Sequence, residues 1–176
     1  PERVLDDVAE RGRAVLVGNS LGGPVALEAA RRLGPERVAG VVAVDTLQDV
    51  ERIWPEEDLR QLIDAYRRDF RGTGVSHMLG LLPASVAAAM RERLGREICG
   101  NDPASAIALF ETVHVYDQAA ALAAAGVPVR AINAMASPTA VETNRKHSPG
   151  FDVVLMAGVG HYPQIERPEE FQAHLR

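Results

Sequence analysis

Short apolar runs alternate with amphipathic stretches in the first part of the chain. Residues 3–10, which mix apolar and acidic side chains, predict a short helix. Residues 14–17 and 38–44 are apolar without interruption, which is typical of strands buried on both faces of a sheet. Between them, residues 23–33 repeat their apolar positions at helical spacing and stop at a Gly-Pro pair. Buried strands that alternate with helices predict a parallel sheet covered on both faces.

This alternation is interrupted in residues 49–112, where no run indicates a strand. Pro55 and the three acidic residues after it open a helix that we expect to reach Phe70, and glycines and prolines separate the later helical pieces. We therefore predict a helical insertion over residues 49–112, set into a core formed by residues 1–48 and 113–176.

The alternation resumes after the insertion. Residues 127–133 and 151–156 predict two further buried strands. Residues 138–146 predict a helix with a proline in its first position and Ser137 as its N-cap. A last helix begins at Pro168. The whole chain therefore predicts an α/β fold, a mostly parallel sheet flanked by helices.

A serine between glycines stands where the first strand becomes a helix. Residues 18–22 read Gly-Asn-Ser-Leu-Gly and fit the pattern G-x-S-x-G. A sharp strand-to-helix turn of this kind exposes the oxygen of Ser20 above the carboxyl edge of the sheet, and glycines allow the tight turn. The N–H of Leu21 faces the same spot, and the helix N-terminus favours negative charge there. The alternative is an ordinary glycine-rich turn or a phosphate-binding loop, but the lysine of such a loop is absent.

A base for this serine is found in the loop after the fourth predicted strand. His161 is one of five histidines and follows residues 156–160, which read Met-Ala-Gly-Val-Gly. Loops after parallel strands lie at the same edge of the sheet, so we expect His161 near Ser20. A serine hydroxyl needs such a base to act as a nucleophile. The alternative is a solvent-exposed loop histidine.

Together these two stretches resemble the α/β-hydrolase superfamily. Residues 17–23 match its nucleophile turn, and residues 160–171 match the pattern G-H-x-x-x-x-E-x-P-E-x-F that often surrounds its catalytic histidine. The resemblance covers the whole chain and implies an eight-stranded hydrolase domain with a helical cap at residues 49–112. It also implies Ser20 as nucleophile, His161 as general base and the Leu21 N–H as one oxyanion-hole donor.

The acid of the expected triad is not in its usual place. In the superfamily it usually follows the strand equivalent to residues 128–133, but residues 133–139 hold no carboxylate. Asp45 ends the second predicted strand at the same edge of the sheet, and we predict it as the acid. The alternative is that Asp45 only caps the strand end. Weaker candidates for the acid are Asp49, Asp152 and Glu142. Glu166 is expected to cap the last helix or to be a surface charge.

The resemblance also implies parts that this sequence does not contain. A full hydrolase domain has about four strands before the nucleophile strand, with a turn that supplies the second oxyanion-hole donor. We therefore interpret the chain as an N-terminally truncated fragment and expect residues 14–17 to form a bare sheet edge. Such an edge invites association, so the 176 residues alone are expected to fold marginally or to aggregate.

Composition narrows the classes of partner. The 176 residues are 47% hydrophobic and 24% charged, with a net charge of −5 and no basic stripe, which argues against nucleic acid. No apolar run is long enough to span a membrane, and the N-terminus lacks a signal-peptide core, so a cytoplasmic location is expected. Cys99 is the single cysteine and excludes an internal disulfide. We expect no metal and no cofactor, and the oligomeric state stays open.

These observations favour a serine hydrolase that cleaves a carboxylic ester of small or medium size. Asn19 and Trp54 are the candidate substrate-binding residues. Asn19 beside Ser20 also suggests a carbon–carbon bond hydrolase of the meta-cleavage type, and peroxide could replace water as acyl acceptor. The missing acid in residues 133–139 leaves a non-catalytic ligand-binding relative as the alternative from another class.

Overall fold

The computed structural model describes residues 12–175, apart from the side chains of residues 98 and 99. The helix predicted over residues 3–10 lies outside this range. The described residues divide into two compact units, one within Pro1–Arg52 and Asp117–Arg176 and the other within Ile53–Tyr116. The second unit and the predicted insertion share residues 53–112.

The first unit is built on a parallel sheet, which confirms the predicted fold class. Its strands are β1 (Ala14–Asn19), β2 (Val38–Val44), β3 (Val129–Ala134) and β4 (Asp152–Met156), in the order β1-β2-β3-β4. Asn19 pairs with Val44 and Ala134 pairs with Met156, so the carboxyl ends of neighbouring strands are level. The segments that leave these strands therefore begin at one common edge.

Helices connect the strands and form the second unit. Those of the first unit are α1 (Gly22–Leu33), α6 (Gln118–Ala123), α7 (Val141–His147), α8 (Pro163–Glu166) and α9 (Pro168–His174). Those of the second unit are α2 (Glu56–Arg68), α3 (Phe70–Gly80), α4 (Ala88–Cys99) and α5 (Pro103–His114). Among residues 12–175, no helix combines the length and the apolar character that crossing a membrane requires.

One hydrophobic cluster of the first unit lies between the sheet and its last helix. Side chains from β2, β3 and β4 pack there with one residue of the loop after β4 and one of α9. The members are Val42, Val44, Ile132, Ala134, Met156, Val159 and Phe171. Removal of this apolar surface from water fixes α9, and with it the loop between β4 and α8, against the sheet.

β1 differs from the strand buried on both faces that its apolar run predicts. Leu16 is buried, but Val15 and Val17 are 55% and 54% exposed. In the part of the chain that the structure describes, β1 pairs with β2 alone and stands at the end of the sheet. A continuous apolar run cannot distinguish such an edge strand from a central one. β2, buried at all but one of its positions, fits the prediction.

Two helix boundaries also differ from the predicted ones. The helix expected to reach Phe70 ends at Arg68, because the side chain of Asp69 accepts the N–H of Gly72 and caps a new helix, α3. The helix expected over residues 138–146 begins only at Val141.

The start of α7 is set by a contact across the unit. The backbone N–H of Ala140 donates to the carbonyl of Gln48 at 2.7 Å, which holds the chain before Val141 outside the helix. The residue at the N-cap position is therefore Ala140, whose side chain makes no capping hydrogen bond, and the predicted cap by Ser137 is wrong.

Candidate active site

Ser20 occupies a strained turn directly after β1. Its φ angle is 54°, in the left-handed region, which costs a residue other than glycine about 1–2 kcal/mol. The N–H of Ser20 donates to the carbonyl of Val44, and the carbonyl of Ser20 accepts the N–H of Gly23. These bonds hold the strained conformation from both sides. Strain of this kind is typical of functional sites, where the surrounding structure enforces it.

The glycines around Ser20 have different reasons to be there. A Cβ atom at Gly18 would collide with the carbonyl of Gly22, and one at Gly23 would collide with the Cγ2 methyl of Thr46. A Cβ atom at Gly22 would meet nothing within 4 Å. The expectation that both glycines flanking Ser20 are required by close packing thus holds for Gly18 and is wrong for Gly22. Gly23 is the second tightly packed position.

Asp45 stands at the end of β2 and is also strained. Its φ angle is 44°, and only 5% of the residue is exposed. Oδ1 accepts the backbone N–H of Ala134 at 2.9 Å, and Oδ2 lies 2.6 Å from Nδ1 of His161. The last residue of β3 therefore gives Asp45 a backbone donor. A cap of the strand end alone would not explain the left-handed φ angle of Asp45 or its contact with His161.

His161 lies in the loop between β4 and α8, with its side chain 14% exposed. A carboxylate at Nδ1 requires a proton on that nitrogen, so the neutral ring presents Nε2 as the acceptor. The ring packs edge-on against that of Tyr162, with centroids 5.1 Å apart. Burial raises the pKa of the Tyr162 hydroxyl above its ordinary value. With Nδ1 bound to Asp45, Nε2 is the ring nitrogen left for proton transfer.

Asn19 joins the turn of Ser20 to the loop of His161. Its side-chain amide donates to the carbonyl of Val44 at 2.9 Å and to the carbonyl of His161 at 3.0 Å. Both amide hydrogens are thus used within the protein. The contacts hold the ends of β1 and β2 and the loop after β4 together, and Ser20 follows Asn19 directly.

Asn133, which sequence analysis missed, supports the turn that carries Asp45. It is fully buried at the end of β3. Its Oδ1 accepts the N–H of Thr46 at 3.1 Å, and its Nδ2 donates to Oγ1 of Thr139 at 2.9 Å. A polar residue that ends an apolar strand was the available signal.

Asn144 of α7 supports the same loop further along. It is fully buried, its Nδ2 donates to the carbonyl of Leu47 at 2.7 Å, and its Oδ1 accepts the N–H of Val50 at 3.1 Å. Leu47 has a φ of 54°, so a second residue of this loop is held in the left-handed region. The loop after Asp45 is therefore fixed by side chains that stand in for backbone partners.

The other candidate acids have partners elsewhere. Asp49 accepts the N–H of Glu51, Asp152 pairs with Arg130, and Glu142 pairs with Arg145. The sequence suggested that Glu166 caps the last helix or is a surface charge, and the structure shows neither. Its carboxylate accepts two backbone N–H groups of the loop of His161.

The remaining predicted residues are placed as follows. Leu21 has helical angles and stands at the N-cap position of α1, where the N–H groups of a first turn lack partners within the helix. Trp54 belongs to the second unit, where its ring packs edge-on against that of His114, with centroids 4.8 Å apart. Its role in substrate binding stays a prediction. Within residues 12–175, no three His, Cys, Asp or Glu side chains cluster as a metal would need.

Comparison with known families gives a match over almost the whole chain. The model of the family described as "Alpha/beta hydrolase family" matches residues 2–173. No curated protein sequence matches the chain.

Solved structures similar to this one include a bromoperoxidase from Bacillus anthracis (TM-score 0.82, 17% identity, 99% of this chain and 69% of that one). A thermophilic esterase from Thermogutta terrifontis is similar with a TM-score of 0.77 and 24% identity, over 98% of this chain and 66% of the esterase. A putative aryl esterase from Burkholderia cenocepacia has a TM-score of 0.75 and 23% identity, over 99% and 68%. The chain thus spans about two thirds of the length of these structures, and the likeness shows the fold.

Proposed function

Because the chain belongs to the alpha/beta hydrolase family, we propose that it is a serine hydrolase that cleaves carboxylic esters of small or medium acyl groups. Ser20 is the nucleophile, His161 the general base and Asp45 the acid. The observation that carries the proposal is the 2.6 Å contact between Nδ1 of His161 and Oδ2 of Asp45. Asp45 directly follows Val44, whose carbonyl accepts the N–H of Ser20.

In the proposed reaction, Oγ of Ser20 attacks the ester carbonyl while Nε2 of His161 takes its proton. The alcohol leaves with that proton, and an acyl group stays on Ser20. Water then attacks the acyl group, His161 again acts as base, and the carboxylic acid is released. Asp45 holds the imidazole in the required tautomer and stabilises the imidazolium that forms in both steps. The N–H of Leu21 donates to the developing oxyanion.

Two observations bear on the alternatives. A non-catalytic binding protein was suggested by the missing carboxylate in residues 133–139, and the contact of Asp45 with His161 supports Asp45 as the acid instead. A carbon–carbon bond hydrolase was suggested by Asn19, but both hydrogens of its amide serve the fold. Ester hydrolysis is therefore the function that the site supports best.

Covalent labelling tests the proposal. The protein, expressed from its complete coding sequence, is treated with a fluorophosphonate, and the adduct is measured by intact mass and located by peptide mapping. Turnover of p-nitrophenyl acetate, butyrate and octanoate is measured in parallel. We expect one adduct on Ser20, lost in Ser20→Ala and kept in Ser76→Ala, which changes an exposed serine of α3. A folded wild-type protein that takes no adduct and turns over no ester would contradict the proposal.

A further inference from the structure

The carboxylate of Glu166 spans the two backbone N–H groups that flank His161. Its Oε2 accepts the N–H of Gly160 at 2.7 Å, and its Oε1 accepts the N–H of Tyr162 at 3.0 Å. Each oxygen thus holds the amide on one side of the histidine. Hydrogen bonds to an ionised carboxylate are stronger than those between neutral groups, so this contact fixes the loop firmly.

The same loop is fixed at a third point. The carbonyl of His161 accepts a hydrogen bond from the side chain of Asn19 at 3.0 Å. The peptide group after His161 is therefore held at both ends, at its N–H by Glu166 and at its carbonyl by Asn19. Beyond it, the carbonyl of Tyr162 accepts the N–H groups of Ile165 and Glu166, which closes the single turn of α8. Glu166 reaches back from the end of that turn.

We propose that Glu166 is a positioning residue for His161. It sets the backbone of the histidine so that Nδ1 meets Asp45 while Nε2 stays available to Ser20. The inference rests on the proposed role of His161 as general base. A misplacement of about 1 Å in a reacting group can cost about 100-fold in rate. A loop held at the amides of Gly160 and Tyr162 therefore keeps the rate of turnover high.

The contacts of Glu166 distinguish this role from that of a cap of the last helix, α9, or a surface ion pair. Both of its oxygens are directed to the loop before α8 rather than to the first turn of α9. The neighbouring Arg167 pairs with Glu170. Glu170 is therefore a matched control: it is a glutamate four residues away, with a charged partner and no contact to the loop of His161 among its hydrogen bonds.

The test compares Glu166→Ala, Glu166→Gln and Glu170→Gln in the protein expressed from its complete coding sequence. The measurements are kcat and KM for a p-nitrophenyl ester, the rate of phosphonylation of Ser20, the thermal midpoint, and the low-field proton resonance of Nδ1–H of His161. For Glu166→Ala we expect kcat to fall about 10- to 100-fold with little change in KM, and the resonance to broaden or shift. Glu166→Gln keeps one acceptor oxygen and is expected to fall between. Glu170→Gln is expected to behave as wild type.

A folded Glu166→Ala protein with wild-type kcat and resonance would overturn the inference. If that variant does not fold, amide hydrogen exchange of the wild type decides: slow exchange at Gly160 and Tyr162 supports the inference, and exchange at the rate of open loops overturns it. Failure of the proposed function is seen separately, as a wild-type protein without phosphonylation of Ser20. In that case, the Nδ1–H resonance of His161 and the exchange rates of the Gly160 and Tyr162 amides still test the role of Glu166.

Discussion

Nδ1 of His161 lies 2.6 Å from Oδ2 of Asp45, although 116 residues separate them along the chain. The parallel sheet explains this contact, because Asp45 follows β2 and His161 follows β4 at the same edge. Both residues sit on loops that other side chains hold in place, Asn133 and Asn144 on one side and Asn19 and Glu166 on the other. The candidate site is thus built by polar side chains that bind backbone groups.

The strain at Ser20 predicts an unusual order of stability. Ser20→Gly should have a free energy of unfolding about 1 kcal/mol higher than Ser20→Ala, because glycine adopts a positive φ without steric cost. At Ser76, within α3, the order should reverse, since glycine is about 1 kcal/mol worse than alanine inside a helix. Denaturant unfolding of the four variants measures both pairs. Equal stability of the two Ser20 variants would show that the left-handed φ angle at this position carries no strain.

The packing of Gly23 against Thr46 predicts that the two loops of the site are coupled. Gly23→Ala should lower both stability and kcat, because the new methyl group displaces Thr46 and with it the neighbouring Asp45. Gly22→Ala, whose new methyl group meets nothing within 4 Å, should change neither by much.

The double variant Gly23→Ala with Thr46→Ser isolates this contact. The serine lacks the Cγ2 methyl that the alanine would strike, so part of the lost activity should return. Thermal unfolding and ester turnover are the measurements. If Gly23→Ala is as active as wild type, Thr46 and Asp45 do not move together.

Asn133 should affect turnover through the turn of Asp45. Asn133→Ala leaves the buried N–H of Thr46 without its acceptor, which should cost about 1–3 kcal/mol of stability and lower kcat. Thr139→Ala removes the other partner of Asn133 but leaves the bond to Thr46, so we expect a loss of stability with kcat almost unchanged. Steady-state kinetics and denaturant unfolding separate the two effects. Equal falls in kcat would argue against a specific role for the Thr46 contact.

We expect the burial of Tyr162 to make the protein less stable at alkaline pH. Burial raises the pKa of its hydroxyl in the folded state above the unfolded value of about 10. The folded state therefore keeps the proton longer than the unfolded state, and the free energy of unfolding falls as pH rises through about 10. Tyr162→Phe should lose less stability than wild type between about pH 9 and pH 11. Identical pH profiles of the two proteins would show that Tyr162 is not the source.

The sequence was sufficient to predict the parallel sheet, because continuous apolar runs and intervening helices are local patterns. It was also sufficient to predict that Ser20, Asp45 and His161 lie at one edge of the sheet, because each of them follows a strand of a parallel sheet. The apolar run of residues 14–17 alone did not predict the exposure of Val15 and Val17, whereas the resemblance to the superfamily did, because it implied a bare sheet edge there.

The supports of the site were also beyond local pattern. Asn133 reaches Thr46 across 87 residues, and Asn19 reaches His161 across 142. A buried asparagine and a surface asparagine look alike in a sequence, and their partners are backbone groups that every residue carries. Glu166 lies close to Gly160 in the chain, but only the turn of α8 directs its carboxylate back to the loop.

The role of Asp45 as the acid is tested by the rate at which Ser20 becomes phosphonylated in Asp45→Asn. The asparagine keeps the shape of the side chain but cannot stabilise the imidazolium of His161 or fix its tautomer. We expect a fall of about 10⁴-fold in ester turnover, with a parallel fall in the rate of labelling and an almost unchanged thermal midpoint. Asp152→Asn, a change in the ion pair with Arg130, is the control and should label at the wild-type rate. Wild-type labelling and turnover in a folded Asp45→Asn protein would contradict the assignment of Asp45 as the acid.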